Sequence, residues 1–63
     1  MEKNNIRYWR EYHGISQRAL ARAVGITSGE MSGIERGEHL PNVITAILIA
    51  KALEVPVEEL WEV

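Results

Sequence analysis

Apolar residues recur along the chain at helical spacing, in short runs punctuated by glycine and proline. Ile6, Trp9 and His13 fall at i, i+3 and i+7, on one face of a first helix at about 5–13, with Arg7, Arg10 and Glu11 on the remaining surface and Gly14 as a left-handed stop. Ser16 reads as the N-cap of a second helix at 17–24, in which Leu20 and Val24 share a face and Gly25 ends the run. Thr27 followed by Glu30 has the capping-box pattern: the hydroxyl accepts from the amide three residues on, and the carboxylate reaches back to the cap. That opens a third helix at 28–36 burying Met31 and Ile34, with Gly37 as its stop. After a loop at 37–41, Asn42 caps a fourth helix at 43–53, whose core stripe reads as Val43, Ala46, Ile47, Ala50 and Leu53. Pro56 opens a fifth at 57–61, with Glu58 and Glu59 favourable to its dipole and Leu60 and Trp61 docking inward. No segment sustains two-residue alternation, so no strand is expected. The pattern predicts an all-α, compact five-helix bundle forming a single domain over 1–63, with no effector domain.

Composition narrows how such a bundle can hold together. A chain of 63 residues buries only about 60% of the surface it exposes when unfolded. It has no cysteine, and His13 and His39 are too few and too far apart for a zinc pattern, so neither a metal nor a cofactor is expected and helix packing must carry the fold. The polar start, Met1 to Asn5, does not resemble a signal peptide, and the longest apolar stretch, 43–50, is broken by Thr45 and too short to span a bilayer. The expectation is a soluble cytoplasmic protein without membrane contact. Catalytic residues are not expected either, because Ser16, Ser28 and Ser32 lack a histidine and an acid in any recognisable arrangement.

The net charge of −2 argues against a polyanionic partner only until its distribution is read. Residues 1–37 carry Lys3, Arg7, Arg10, Arg18, Arg22 and Arg36 against four glutamates, a balance of +2; residues 38–63 carry Lys51 against five glutamates, a balance of −4. One half can therefore face a polyanion while the other stays solvated. The spacing from Gln17 to Gly37 is more specific. Two short helices that cross steeply need a small side chain at the crossing, a residue tolerant of positive φ in the turn, and apolar residues facing back from the second helix. Ala21, Gly25, Met31 and Ile34 supply these in order.

From about Ile6 to Trp61 the sequence resembles the phage-repressor or Cro-like (xenobiotic-response-element type) helix-turn-helix family. The resemblance rests on Gly14-Ile15-Ser16-Gln17, Leu20-Ala21, Gly25-Ile26-Thr27, Ile34-Glu35-Arg36-Gly37, Pro41, and Ala50-Lys51-Ala52-Leu53-Glu54-Val55 before Glu59-Leu60. It implies a sequence-specific DNA-binding transcriptional regulator, repressor-like, acting as a homodimer on a palindromic double-stranded operator, with no small-molecule effector. The third helix would be the recognition helix, with Gln17, Ser28, Gly29, Ser32 and Gly33 at the base edges or groove. Ser16, Gln17, Arg36 and Gly37 would meet phosphate, and Arg10 and Glu35 would form a structural ion pair.

Three departures from the family pattern bear on function. The groove face offers serines, glycines and Glu30 where the family often carries Arg, Gln or Asn, so direct readout is sparse. Gly29 and Gly33 each cost about 1 kcal/mol of helix propensity relative to Ala, an odd choice unless close approach is wanted. Glu38-His39-Leu40 stands where the family tends to be basic, which weakens phosphate affinity; protonated His39 could recover one contact, against the reading of an ordinary exposed loop histidine. Finally, Ile44 and Leu48 are apolar at positions the family usually fills with polar residues. With Trp61 and Val63 they would form a dimer interface, unless so small a domain draws them into its own core. An alternative function on the same fold is a protein-interaction module, antitoxin- or anti-repressor-like, with weak or no DNA binding.

Overall fold

Three helices begin on the side chain that the sequence nominates as a cap. The structure, a computed structural model, describes residues 4–61. In it the Ser16 hydroxyl accepts from the Ala19 amide at 3.0 Å, opening α2 (Gln17–Val24). Thr27 accepts from the Glu30 amide at 3.0 Å, opening α3 (Ser28–Glu35). Asn42 accepts from the Thr45 amide at 2.8 Å, opening α4 (Val43–Leu53). Each bond satisfies one of the amides that a helix start leaves without a partner. The capping box at Thr27 is half made: among the described residues no bond returns from the Glu30 carboxylate. The first helix, α1 (Ile6–Tyr12), has no such bond from its N-cap, Asn5; the Ile6 amide donates instead to Oδ1 of Asn4 at 3.2 Å.

The turn between α2 and α3 depends on Gly25 at φ 81°, a left-handed conformation that lets its amide and that of Ile26 close on the last carbonyls of α2. α2 then packs against both α3 and α4, with α1 leaning on α2. The shared core is Ile6 from α1, Leu20, Ala21 and Val24 from α2, Met31 and Ile34 from α3, Ile49, Ala50 and Leu53 from α4, and Leu60; Trp9, Ile15, Ile26 and Trp61 are packed around it. Ala21 is buried on α2, where a larger side chain would push the helix away from its neighbours. His13 is exposed, and its Nε2 donates to the Leu53 carbonyl at 2.7 Å, tying the ends of α1 and α4.

Two expectations are corrected. The domain has four α-helices, and the expected fifth helix at 57–61 is a single 3-10 turn, Val57–Glu59. Its carbonyls are taken elsewhere: the Asn5 amide donates to Leu60 O at 2.9 Å and Asn5 Nδ2 to Glu59 O at 3.0 Å. Trp61 then pairs with Asn4 in an isolated antiparallel bridge. A five-residue segment gains too few internal bonds to resist that extension. The second correction concerns the face of α4. Val43 (71% exposed) and Ile47 (41%) lie outside the core, while Ile49 is fully buried. The helix is rotated so that Ala46, Ile49, Ala50 and Leu53 form the inward stripe. All residues from Val43 to Ala50 except Thr45 are apolar, so periodicity alone cannot select the inner face.

Candidate nucleic-acid interface

α3 is clamped from behind and open in front. Met31 and Ile34 pin its back to the core. Its last turn is held by Arg10 of α1, whose Nε and Nη2 donate to the two carboxylate oxygens of Glu35 at 2.9 and 3.2 Å, while Nη1 donates to the Ile15 carbonyl at 3.0 Å. The two side chains are only 12% and 6% exposed. This bidentate, nearly desolvated pair joins α1, the α1–α2 loop and α3, and so sets the tilt of α3 against the rest of the domain.

On the open side, Ser28, Gly29 and Glu30 are exposed at the first turn of α3. Nothing of the protein crowds Gly29, since a methyl group added there would meet only the Thr27 hydroxyl at 3.9 Å. A depression at the α2–α3 turn runs past Ser28 and Thr27 to Arg18 and Arg22. Both arginines are exposed, and neither makes an ion pair among the described residues. On the other side of α3 a shallow cleft of about 300 Å³ is bordered by Arg7, Arg10, Glu11, Gln17, Ser32, Glu35 and Arg36. The open face of α3 thus lies between two arginines that make no ion pair among the described residues on one flank and, on the other, a polar cleft whose arginines are each paired with a glutamate.

The residues nominated from sequence fare unequally. Ser28 and Gly29 are exposed, and Gln17 is half-buried at the cleft. The Ser16 oxygen is used by its cap bond, which leaves its O–H free to donate outward. Ser32 is half-buried and accepts from Arg36 Nη1. Gly33 is buried, beneath His39 and Glu38 of the following loop. The Gly37 amide is not available to a phosphate, because it donates to the Ile34 carbonyl at 3.0 Å in the turn that closes α3. Arg36 is exposed but engaged: its Nε and Nη2 donate to the Glu38 carboxylate at 2.7 and 3.0 Å. Those hydrogen bonds raise the Arg36 pKa and hold the Glu38 carboxyl below the usual range. On α4, Ile44 (63% exposed) and Leu48 (40%) join Val43 and Ile47 on an outer apolar face. Trp61 is not part of an open face: it packs against the core with its indole N–H buried. Val63 lies outside the described residues.

Sequence reasoning did not single out Arg18, Arg22 or the Glu38–Arg36 clasp. The arginines had a signal in their i, i+4 spacing on the outer side of α2; the clasp depends on how the loop folds back. Among the described residues no cluster of three metal-ligating side chains occurs, and no helix is long and apolar enough to cross a membrane.

A helix-turn-helix family model matches residues 6–60. The chain is 32% identical over 59 residues to YgzD of Bacillus subtilis, described as an uncharacterized HTH-type transcriptional regulator, covering 94% of this chain and 89% of that protein. Its fold matches the P22 c2 repressor solved with a synthetic operator, with a TM-score of 0.87 and 33% identity over 92% of this chain and 88% of the repressor. It also matches the restriction-modification controller protein C.AhdI of Aeromonas hydrophila, with a TM-score of 0.80 and 29% identity over 87% of this chain and 83% of that one.

Proposed function

The chain belongs to the helix-turn-helix family of DNA-binding transcriptional regulators, and we propose that it lays α3 in the major groove of an operator as one half of a two-fold dimer. The observation that carries this is the setting of α3: its back is fixed by Met31, Ile34 and the Arg10–Glu35 pair, and its first turn is open between Arg18 and Arg22 on one flank and the Gln17 cleft on the other. A helix presented in this way can enter a groove about 12 Å wide while Arg18 and Arg22 meet phosphate on one side and Gln17 on the other. Ser28 and Gly29 approach the base edges. Ser16, Gln17, Arg18 and Arg22 neutralise or bond phosphate, and Arg36 does so when Glu38 releases it.

Size and the outer face of α4 support the dimer. The molecule is 26 Å in its longest extent, whereas paired half-sites lie about 34 Å apart, so one copy covers one half-site. Val43, Ile44, Ile47 and Leu48 form a continuous outer face on α4 that a second copy would cover.

Selection from a random duplex library at low salt tests the proposal. It should return a palindromic site, bound with an affinity that falls steeply as salt rises. Arg22→Ala should weaken binding to all sequences alike and lower the salt slope by about one. Failure to enrich any site would overturn the proposal in favour of a protein-interaction module, the reading that the acidic second half and the α4 face also support.

A further inference from the structure

We propose that His39, a loop residue, is a specificity-determining contact, presenting its imidazole to base edges at the centre of the α3 groove face where the helix itself has only glycine. The inference rests on the DNA-binding reading above.

Gly33 lies one turn after Gly29 on the front of α3, yet it is buried. What buries it is the loop. A methyl group added at Gly33 would lie 2.6 Å from His39 Nε2 and 3.1 Å from its Cδ2, with Glu38 Oε1 at 3.7 Å. The imidazole therefore occupies the space that a side chain at position 33 would fill. Two backbone bonds bring the loop there: Gly37, at φ 77°, donates to Ile34 O at 3.0 Å, and the Glu38 amide donates to Gly33 O at 3.0 Å.

This arrangement accounts for a glycine that otherwise weakens the helix, because any Cβ at position 33 displaces the ring. It also changes what the groove face can read. Ser28 and Gly29 have little reach, and Ser32 is half-buried with its oxygen accepting from Arg36. His39 is exposed, and with Nε2 set against Gly33 the ring nitrogen left to face a base is Nδ1, a donor in one neutral tautomer and an acceptor in the other. It can donate to guanine N7 or O6, or accept from an adenine or cytosine amine, which a serine on the helix is too short to do.

Duplex selection with the wild type, His39→Ala, His39→Phe and Gly33→Ala separates the outcomes, with thermal melts confirming that each variant folds. His39→Ala should lose the preference at one symmetry-related pair of operator positions by about 5- to 10-fold while other positions keep theirs. His39→Phe keeps a ring without its hydrogen bonds and should lose the same preference. Gly33→Ala should relax those same positions, and Gly33→Ala combined with His39→Ala should add nothing further. Three results would overturn the inference: an unchanged site for His39→Ala; a loss equal across all sequences with a smaller salt slope, which marks a phosphate contact; or tighter binding, which marks the ring as a cover over α3. A wild type that enriches no site overturns the DNA-binding reading itself and this inference with it, and is distinct from the other three results.

Discussion

Two ion pairs of the same chemistry do different work because of where they sit. Arg10 and Glu35 are almost wholly removed from water, so deleting one partner strands the other charge. Glu35→Ala should cost about 3 kcal/mol in urea denaturation, and the double replacement Arg10→Met with Glu35→Leu should cost far less, because no charge is left behind. Arg36 and Glu38 are each about half exposed, and what their clasp controls is access to Arg36. Glu38→Gln should tighten DNA binding about two- to five-fold through release of Arg36, an effect absent in an Arg36→Ala background. The clasp also has a pH signature. Hydrogen bonding to Arg36 lowers the Glu38 pKa in the folded state, so its stabilisation is present above the ordinary glutamate range near pH 4.3 and is lost as pH falls through the lowered value. The melting temperature of the wild type should therefore exceed that of Glu38→Gln at neutral pH and converge with it in acid. A gap that persists at the lowest pH would contradict this.

Helix boundaries that depend on neighbouring residues were legible, and those that depend on distant ones were not. α2 and α4 run from Gln17 to Val24 and from Val43 to Leu53, as Ser16, Gly25 and Asn42 predict, because a cap is a contact between residues three or four apart. The end of α4 is unusual: Glu54 adopts φ 62° and ψ 39°, the left-handed position that most helices give to glycine. Glu54→Gly should raise stability by about 0.5–1 kcal/mol, read as a higher urea midpoint with an unchanged slope. The 3-10 turn in place of a fifth helix had no local signal. It follows from Asn5, more than fifty positions earlier, taking the carbonyls of Glu59 and Leu60. At the candidate interface, glycine inside α3 was a readable anomaly, but what approaches Gly33 was not, since His39 reaches it only through the fold of the loop.

For the whole molecule the consequence of the α4 rotation is an apolar face on the surface. Val43, Ile44, Ile47 and Leu48 together are hard to leave in water on so small a domain. Sedimentation should find the wild type self-associating and Leu48→Glu at least roughly tenfold weaker, since a carboxylate buried between two α4 helices has no partner; equal masses would remove α4 from the interface. By itself the sequence determined where α2, α3 and α4 start, the packing of α2 on α3 with Ala21 buried, and the split of charge between the two halves. These rest on residue type and on spacings within a turn or two of helix. Only the tertiary structure decided which side of the apolar α4 is buried, that the chain after Pro56 turns out to pair with Asn4 and Asn5, and that His39 rests on Gly33. Each of those is settled by competition between segments remote in sequence for the same core volume or the same carbonyls, a contest that no local pattern records.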